Sequence, residues 1–117
     1  MTLSGQTALV TGASAPRGIG QAIARRLAQD GARVVLTDIG TDTAMAGLEA
    51  VVATIAADGG TALAHPLDVT RADDIAAAVS FAKAAFGPVD ILVNNAGTTV
   101  GANAFMATTP DQWQTSF

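Results

Sequence analysis

The sequence predicts a doubly wound α/β fold on a parallel sheet, and three observations carry that reading. Short apolar runs alternate with longer segments of helical periodicity along the whole chain. Two of the runs, "RVVLT" (33–37) and "DILV" (90–93), are nearly continuous and do not alternate with polar residues. Such strands suit a parallel sheet covered on both faces. Glycines then punctuate the ends of the helical segments. At 117 residues the chain holds one modest domain.

The elements follow in order. "TALV" (7–10) is the first strand, and the turn "TGASAPRGIG" (11–20) leads into a helix with Ile19, Ile23 and Leu27 on one stripe. Gly31 stops it, and "RVVLT" forms the second strand. Met45, Leu48, Val52 and Ile55 recur at steps of three and four in the second helix, which ends at Gly59-Gly60. "TALAH" (61–65) is the third strand. Thr70, with Asp73 three residues on, marks the start of a third helix striped by Ile75, Val79, Ala82 and Phe86. Gly87-Pro88 ends it, and "DILV" is the fourth strand. The order is βαβαβαβ, with right-handed crossovers expected. No linker, solenoid repeat or low-complexity tail interrupts it. Near the end, Thr109 as N-cap, Pro110 at N1 and Gln112 at N3 begin a helix that receives few residues. We therefore expect a truncated chain, with the domain continuing past Phe117.

Composition excludes several classes. Half of the residues are hydrophobic and 14% are charged, which describes a buried globular chain. The net charge of −4 opposes a nucleic-acid partner, because phosphate backbones call for a basic face. Without cysteine there is neither disulfide nor thiolate metal site, and the lone His65 cannot build a histidine cluster. His65 reads as a partly solvated residue at a strand end. The N-terminus lacks the basic region and apolar core of a signal peptide. No run approaches the roughly 18 apolar residues of a membrane helix. A soluble, cytoplasmic protein is expected.

The chemistry lies in the turns after the strands. A glycine-rich turn between strand and helix offers backbone N–H groups and the positive end of the helix dipole, and both attract a pyrophosphate. Gly12 permits the tight turn, Gly18 a close approach of backbone to ligand, and Gly20 the packing of helix on strand. Asp38 ends the second strand at about the spacing, roughly 20 residues on, where the dinucleotide fingerprint places its ribose-binding acid. A plain strand–helix turn with a solvated Asp accounts for the same residues. "LDVT" (67–70) and "NNAG" (94–97) follow the third and fourth strands, and either alone could be a turn. Together the four segments share the carboxyl edge of the sheet, where doubly wound folds bind ligands.

These residues resemble the classical branch of the short-chain dehydrogenase/reductase family over the whole chain. The matches are Thr11-Gly12 with Gly18-Ile19-Gly20, then Asp38, then Asp68-Val69, then Asn94-Asn95-Ala96-Gly97. "NNAG" is the most specific of them and the glycines the least. The resemblance implies a Rossmann sheet of strand order 3-2-1-4. It places Gly12, Ser14, Gly18, Ile19 and Gly20 along the pyrophosphate and adenosine ribose, and Asp38 on the ribose hydroxyls. Asp68 and Val69 would meet the adenine. Asn94, Ala96 and Gly97 would lie along the cofactor and steady the central strand. Trp113 matches an aromatic of the following helix, where packing is the plainer role.

Two departures stand out. The family's loop usually has three residues between the "TG" and "GxG" parts, and here five, Ala13 to Arg17, intervene; among them Pro16 has no N–H to donate. The family's catalytic Ser, Tyr and Lys, the last two as Tyr-x-x-x-Lys, have no counterpart. The chain contains no tyrosine, and its only lysine, Lys83, falls in a helix. Asn103 does not match the catalytic Asn. No catalytic residue carries over, and no metal site is expected.

Arg17 and Asp38 bear oppositely on the cofactor. An Arg before the second motif glycine often partners the 2′-phosphate of NADP in the family, whereas an Asp ending the second strand favours the free 2′-hydroxyl of NAD. Two unit charges about 4 Å apart interact by about 4 kcal/mol at an effective dielectric of about 20. A 2′-phosphate against Asp38 would meet at least that repulsion, so NAD is the expected cofactor. The first functional reading is the dinucleotide-binding half of an oxidoreductase that moves hydride between a nicotinamide and an alcohol or ketone. The alternative is a non-catalytic nucleotide-binding or regulatory module. By resemblance the full-length enzyme would be a homo-oligomer. The isolated chain is expected to be inactive, and poorly soluble because "DILV" would be an open apolar edge.

Overall fold

All four residues of Thr7–Val10 are buried, and they form β1 at the heart of a four-stranded sheet. The computed structural model describes residues 2–15 and 18–95. The elements run β1 (Thr7–Val10), α1 (Ile19–Gln29), β2 (Arg33–Asp38), α2 (Asp42–Ala57), β3 (Thr61–Pro66), α3 (Ala72–Phe86) and β4 (Ile91–Val93). The sheet order is β3-β2-β1-β4 with every pairing parallel. Both the alternation of elements and the strand order agree with the sequence reading.

Side-chain alternation divides the core into two layers. On one face Ala8, Val10, Val34 and Leu36 pack with Ala24 and Ala28 of α1 and with Leu48, Val51 and Ile55 of α2. On the other, Leu9 and Val35 pack with Leu67 and with Ala78 and Ala82 of α3. The central strands β1 and β2 are thus covered on both sides, which is why "RVVLT" carries no polar alternation.

Side-chain hydrogen bonds fasten the strands further. The fully buried Thr37 donates its hydroxyl to the Val10 carbonyl at 2.9 Å. Where β4 begins, Asp90 donates its N–H to the Thr7 carbonyl at 2.9 Å and accepts the Thr7 N–H on Oδ2 at 2.9 Å. His65 is half-buried in the last part of β3, with its ring centroid 4.5 Å from that of Phe81.

The helix stripes need correction. In α1 the residues against the sheet are Gly20, Ala24 and Ala28, while Ile19 is 71% exposed and Ile23 and Leu27 are half-buried. The small residues let α1 lie close on the sheet, and that turns the larger aliphatics to its flank. In α3 the expected stripe holds at Ala82, which is buried, and at Phe86, which packs against that core, whereas Ala78 is buried in place of Ile75 and Val79, each 44% exposed. For α2 the stripe is nearer to expectation, with Leu48 and Ile55 buried and Met45 and Val52 packed against that core. Thr70 does not cap α3. Arg71 takes that position without a side-chain cap, and Thr70 turns back to Asp68. Among the described residues, no helix is long and apolar enough to cross a membrane.

Candidate functional site

Among the described residues, those singled out by sequence gather at the carboxyl edge of the sheet. After β1 the chain turns at Gly12, whose φ of 66° lies in the left-handed region that side-chain-bearing residues rarely adopt. The loop then leans on β2. The Ala13 N–H donates to the Thr37 carbonyl at 3.1 Å, and the Ser14 N–H donates to Asp38 Oδ2 at 3.1 Å. Asp38 Oδ1 accepts its neighbour's N–H, from Ile39, at 2.7 Å. Each carboxylate oxygen is held by one backbone donor and keeps acceptor capacity for a further one.

On its other side the loop is tied to the end of β4. Asn95 Nδ2 donates to the Gly12 carbonyl at 3.0 Å, and the Asn95 N–H donates to Thr11 Oγ1 at 3.0 Å. Thr11 in turn donates its N–H to the Val93 carbonyl at 3.1 Å. Gly20, in the first turn of α1, fits under this clamp. A Cβ there would stand 2.6 Å from Asn95 Nδ2 and 2.8 Å from the Gly12 carbonyl oxygen. Gly20 therefore does more than let helix meet strand; it leaves the space in which loop and β4 are joined.

Gly18 closes the lengthened loop. Its N–H donates to the Ala15 carbonyl at 3.0 Å, and a Cβ on it would meet Ala15 Cβ at 3.0 Å. The lengthened loop closes on itself there. The first turn of α1, whose leading N–H groups have no partner inside the helix, offers donors for an anion. That end is electrostatically open: its Gly18 cap offers no side-chain acceptor, and the first turn holds no acid. By contrast α2 is capped by Thr41 with Asp42 beside it, and α3 opens with Asp73 and Asp74. A glycine-lined turn at an uncapped, acid-free helix start fits a pyrophosphate.

Asp68 follows β3 in a turn of its own. Its Oδ1 accepts both the Thr70 hydroxyl at 2.6 Å and the Thr70 N–H at 2.9 Å, and its N–H donates to Asp74 Oδ2 at 3.1 Å. The Thr70 hydroxyl, then the Thr70 N–H, hold its pKa below the ordinary 3.8, with the Arg71 charge adding to them against a small desolvation. Val69 packs against the second core layer. Asn94 is exposed and borders, with Val69 and Thr11, an open apolar trough of about 240 Å³ between α3 and β4. Arg17, Ala96 and Gly97 lie outside the described residues, as do Asn103, Thr109 and Trp113.

Two contributors escaped the sequence reading. Asn95 stood inside the quoted "NNAG" but received no role, although it makes the clamp. Thr37 reads as a mere strand residue, yet its carbonyl and hydroxyl both serve the β1 end of the sheet.

The profile of the family described as short chain dehydrogenase matches residues 6–117. The chain belongs to the short-chain dehydrogenase family. It is 50% identical over 97 residues to an L-rhamnose 1-dehydrogenase (NAD(P)(+)) of Azotobacter vinelandii, covering 83% of this chain and 37% of that protein. It is 43% identical over 113 residues to a 3-oxoacyl-[acyl-carrier-protein] reductase of Escherichia coli, covering 97% of this chain and 42% of that one. Among solved structures, a metagenomic short-chain oxidoreductase in complex with NADP superposes with a TM-score of 0.77 at 45% identity, over 99% of this chain and 50% of that one. A metagenomic blue fluorescent protein in complex with NADPH gives 0.80 at 37% identity, over 99% of this chain and 45% of that one. This short-chain dehydrogenase chain thus spans less than half the length of those two curated relatives.

Proposed function

We propose that this chain is the dinucleotide-binding part of an oxidoreductase acting on an alcohol/carbonyl pair, and that it takes NAD in preference to NADP. The observation that carries the cofactor choice is the Asp38 carboxylate, fixed at the end of β2 by the Ser14 and Ile39 N–H groups. Its remaining lone pairs suit the two hydroxyls of an adenosine ribose. A 2′-phosphate would stand against a carboxylate that cannot swing away without losing two hydrogen bonds.

The other residues divide the cofactor between them. The first turn of α1, at Ile19 and Gly20, would donate N–H groups to the pyrophosphate, with Gly12 and Ser14 beside it. Asp68 and Val69 would border the adenine, and Asn94, Ala96 and Gly97 would lie along the cofactor. When bound, the nicotinamide supplies the hydride chemistry, and the protein's part is to hold and orient it. Because the chain has no tyrosine, it lacks the general acid/base that the family resemblance implies, and by itself it would bind the cofactor without turnover.

Calorimetric titration with NAD and NADP tests the reading. NAD should bind the unaltered protein more tightly, and Asp38→Ala should narrow the gap. Tighter NADP binding to the unaltered protein would sink the NAD preference, and no binding of either would sink the dinucleotide reading itself.

A further inference from the structure

The phosphate loop touches α2 as well as the sheet, and the contact falls on the only glycine of that helix, Gly47. A Cβ on Gly47 would lie well inside van der Waals contact distance of the Ser14 carbonyl oxygen, and 3.2 Å from the Ser14 carbonyl carbon and Cβ. Two of those three neighbours are backbone, so no flexible chain end can give way. Gly47 is also placed against helical propensity, since alanine is the better residue in a helix interior. The rest of α2 is rich in alanine, including Ala44, Ala46 and Ala50.

The loop has little slack at this point. The Ala13 N–H is bonded to Thr37 and the Ser14 N–H to Asp38, while the Ser14 carbonyl rests on Gly47. That carbonyl belongs to the Ser14–Ala15 peptide, joined at the Ser14 Cα to the Ala13–Ser14 peptide whose N–H grips Asp38 Oδ2, so raising it displaces Ser14 and strains that grip.

We propose that Gly47 is a positioning residue of the cofactor site. Its missing side chain lets Ser14 sit low enough to hold the Asp38 carboxylate in place for the ribose. It acts through Ser14 and Asp38 and touches no ligand. The inference rests on Asp38 being the ribose acceptor, as read above.

The test is a double-mutant cycle on NAD affinity, with Gly47→Ala made in the unaltered and in the Asp38→Ala background. Ala46→Gly, at an exposed position of the same helix, controls for helix propensity. Gly47→Ala should weaken NAD by about tenfold in the unaltered background and by less than about twofold beside Asp38→Ala. Without cofactor, it should shift the amide resonances of Ser14 and Ile39 and leave those of β3 unmoved. An equal loss of affinity in both backgrounds overturns the proposal, because Gly47 then does not act through Asp38. Unchanged affinity overturns it too, and so does a Gly47→Ala protein that unfolds as a whole at the assay temperature. Failure of the unaltered protein to bind NAD, or indifference to Asp38→Ala, would instead defeat the reading of Asp38.

Discussion

Asn95 and Gly12 are 83 residues apart in sequence, yet the Asn95 side-chain amide donates to the Gly12 carbonyl at 3.0 Å. The bond joins the end of β4 to the turn after β1, so the edge that would receive a cofactor is held from two strands. Asn95→Ala should cost about 1 kcal/mol, the usual net loss of one neutral hydrogen bond. It should also weaken NAD, since the turn at Gly12 loses its tether. Urea unfolding and calorimetry report the two effects separately. An unchanged urea midpoint would show that water replaces the amide without loss.

Gly20 makes a sharper case, because two tendencies oppose each other there. Alanine in a helix normally gains about 1 kcal/mol over glycine. Here the added methyl would meet Asn95 Nδ2 at 2.6 Å and the Gly12 carbonyl oxygen at 2.8 Å. Overpacking typically costs about 1–3 kcal/mol, and one of the two neighbours is main chain. Gly20→Ala should lower the thermal midpoint. A raised midpoint would show that the loop moves aside freely, and would undo the account of the clamp.

At the opposite end of the strands, Asp90 secures β4. Thr7 is 1% exposed, and its N–H finds its acceptor in the Asp90 carboxylate. Asp90→Ala leaves a buried donor unpaired, for which a loss of about 1–3 kcal/mol is expected. Asp90→Asn keeps an oxygen in place and should lose less. Denaturant midpoints of the two variants order the effect, and equal losses would mean that the carboxylate is not the acceptor that matters.

How much of this was legible in the sequence follows from what each signal measures. Apolar runs report burial, so "RVVLT" disclosed β2 and its coverage on both faces. Periodicity reports size as well as burial, and it misled in α1: Ile19, Ile23 and Leu27 outline a stripe, but a helix seated close to a sheet uses Gly20, Ala24 and Ala28. Turn residues marked the carboxyl edge correctly, with Asp38, Asp68 and Asn94 each at a strand end. Contacts between distant turns had no local signature. Neither the Asn95 clamp nor the resting of Ser14 on Gly47 leaves a pattern in spacing, because both depend on how far apart two elements finally pack. The direction of Thr70 was hidden for a related reason. A threonine three residues before an acid suits a cap, and only the turn geometry sends its hydroxyl back to Asp68.

That hydroxyl gives Asp68 a pH dependence whose sign can be worked out. The Thr70 hydroxyl and N–H stabilise the ionised carboxylate in the folded protein, so its folded pKa lies below the ordinary 3.8. A depressed folded pKa favours folding at pH above the unfolded value, and that contribution fades as pH falls through the folded pKa. Thr70→Val removes the hydroxyl and keeps the N–H. It should therefore move Asp68 up toward 3.8 without fully restoring it, because the N–H bond and the Arg71 charge remain. Carboxyl-carbon resonances followed through an acid titration measure the shift directly. In urea unfolding the variant should be weaker than the unaltered protein near neutral pH, with the two converging once Asp68 is protonated in both. A Thr70→Val protein whose Asp68 titrates where the unaltered one does would transfer the effect to Arg71 and the backbone. A deficit that persists at the lowest pH would instead mark Thr70 as a packing residue of the turn.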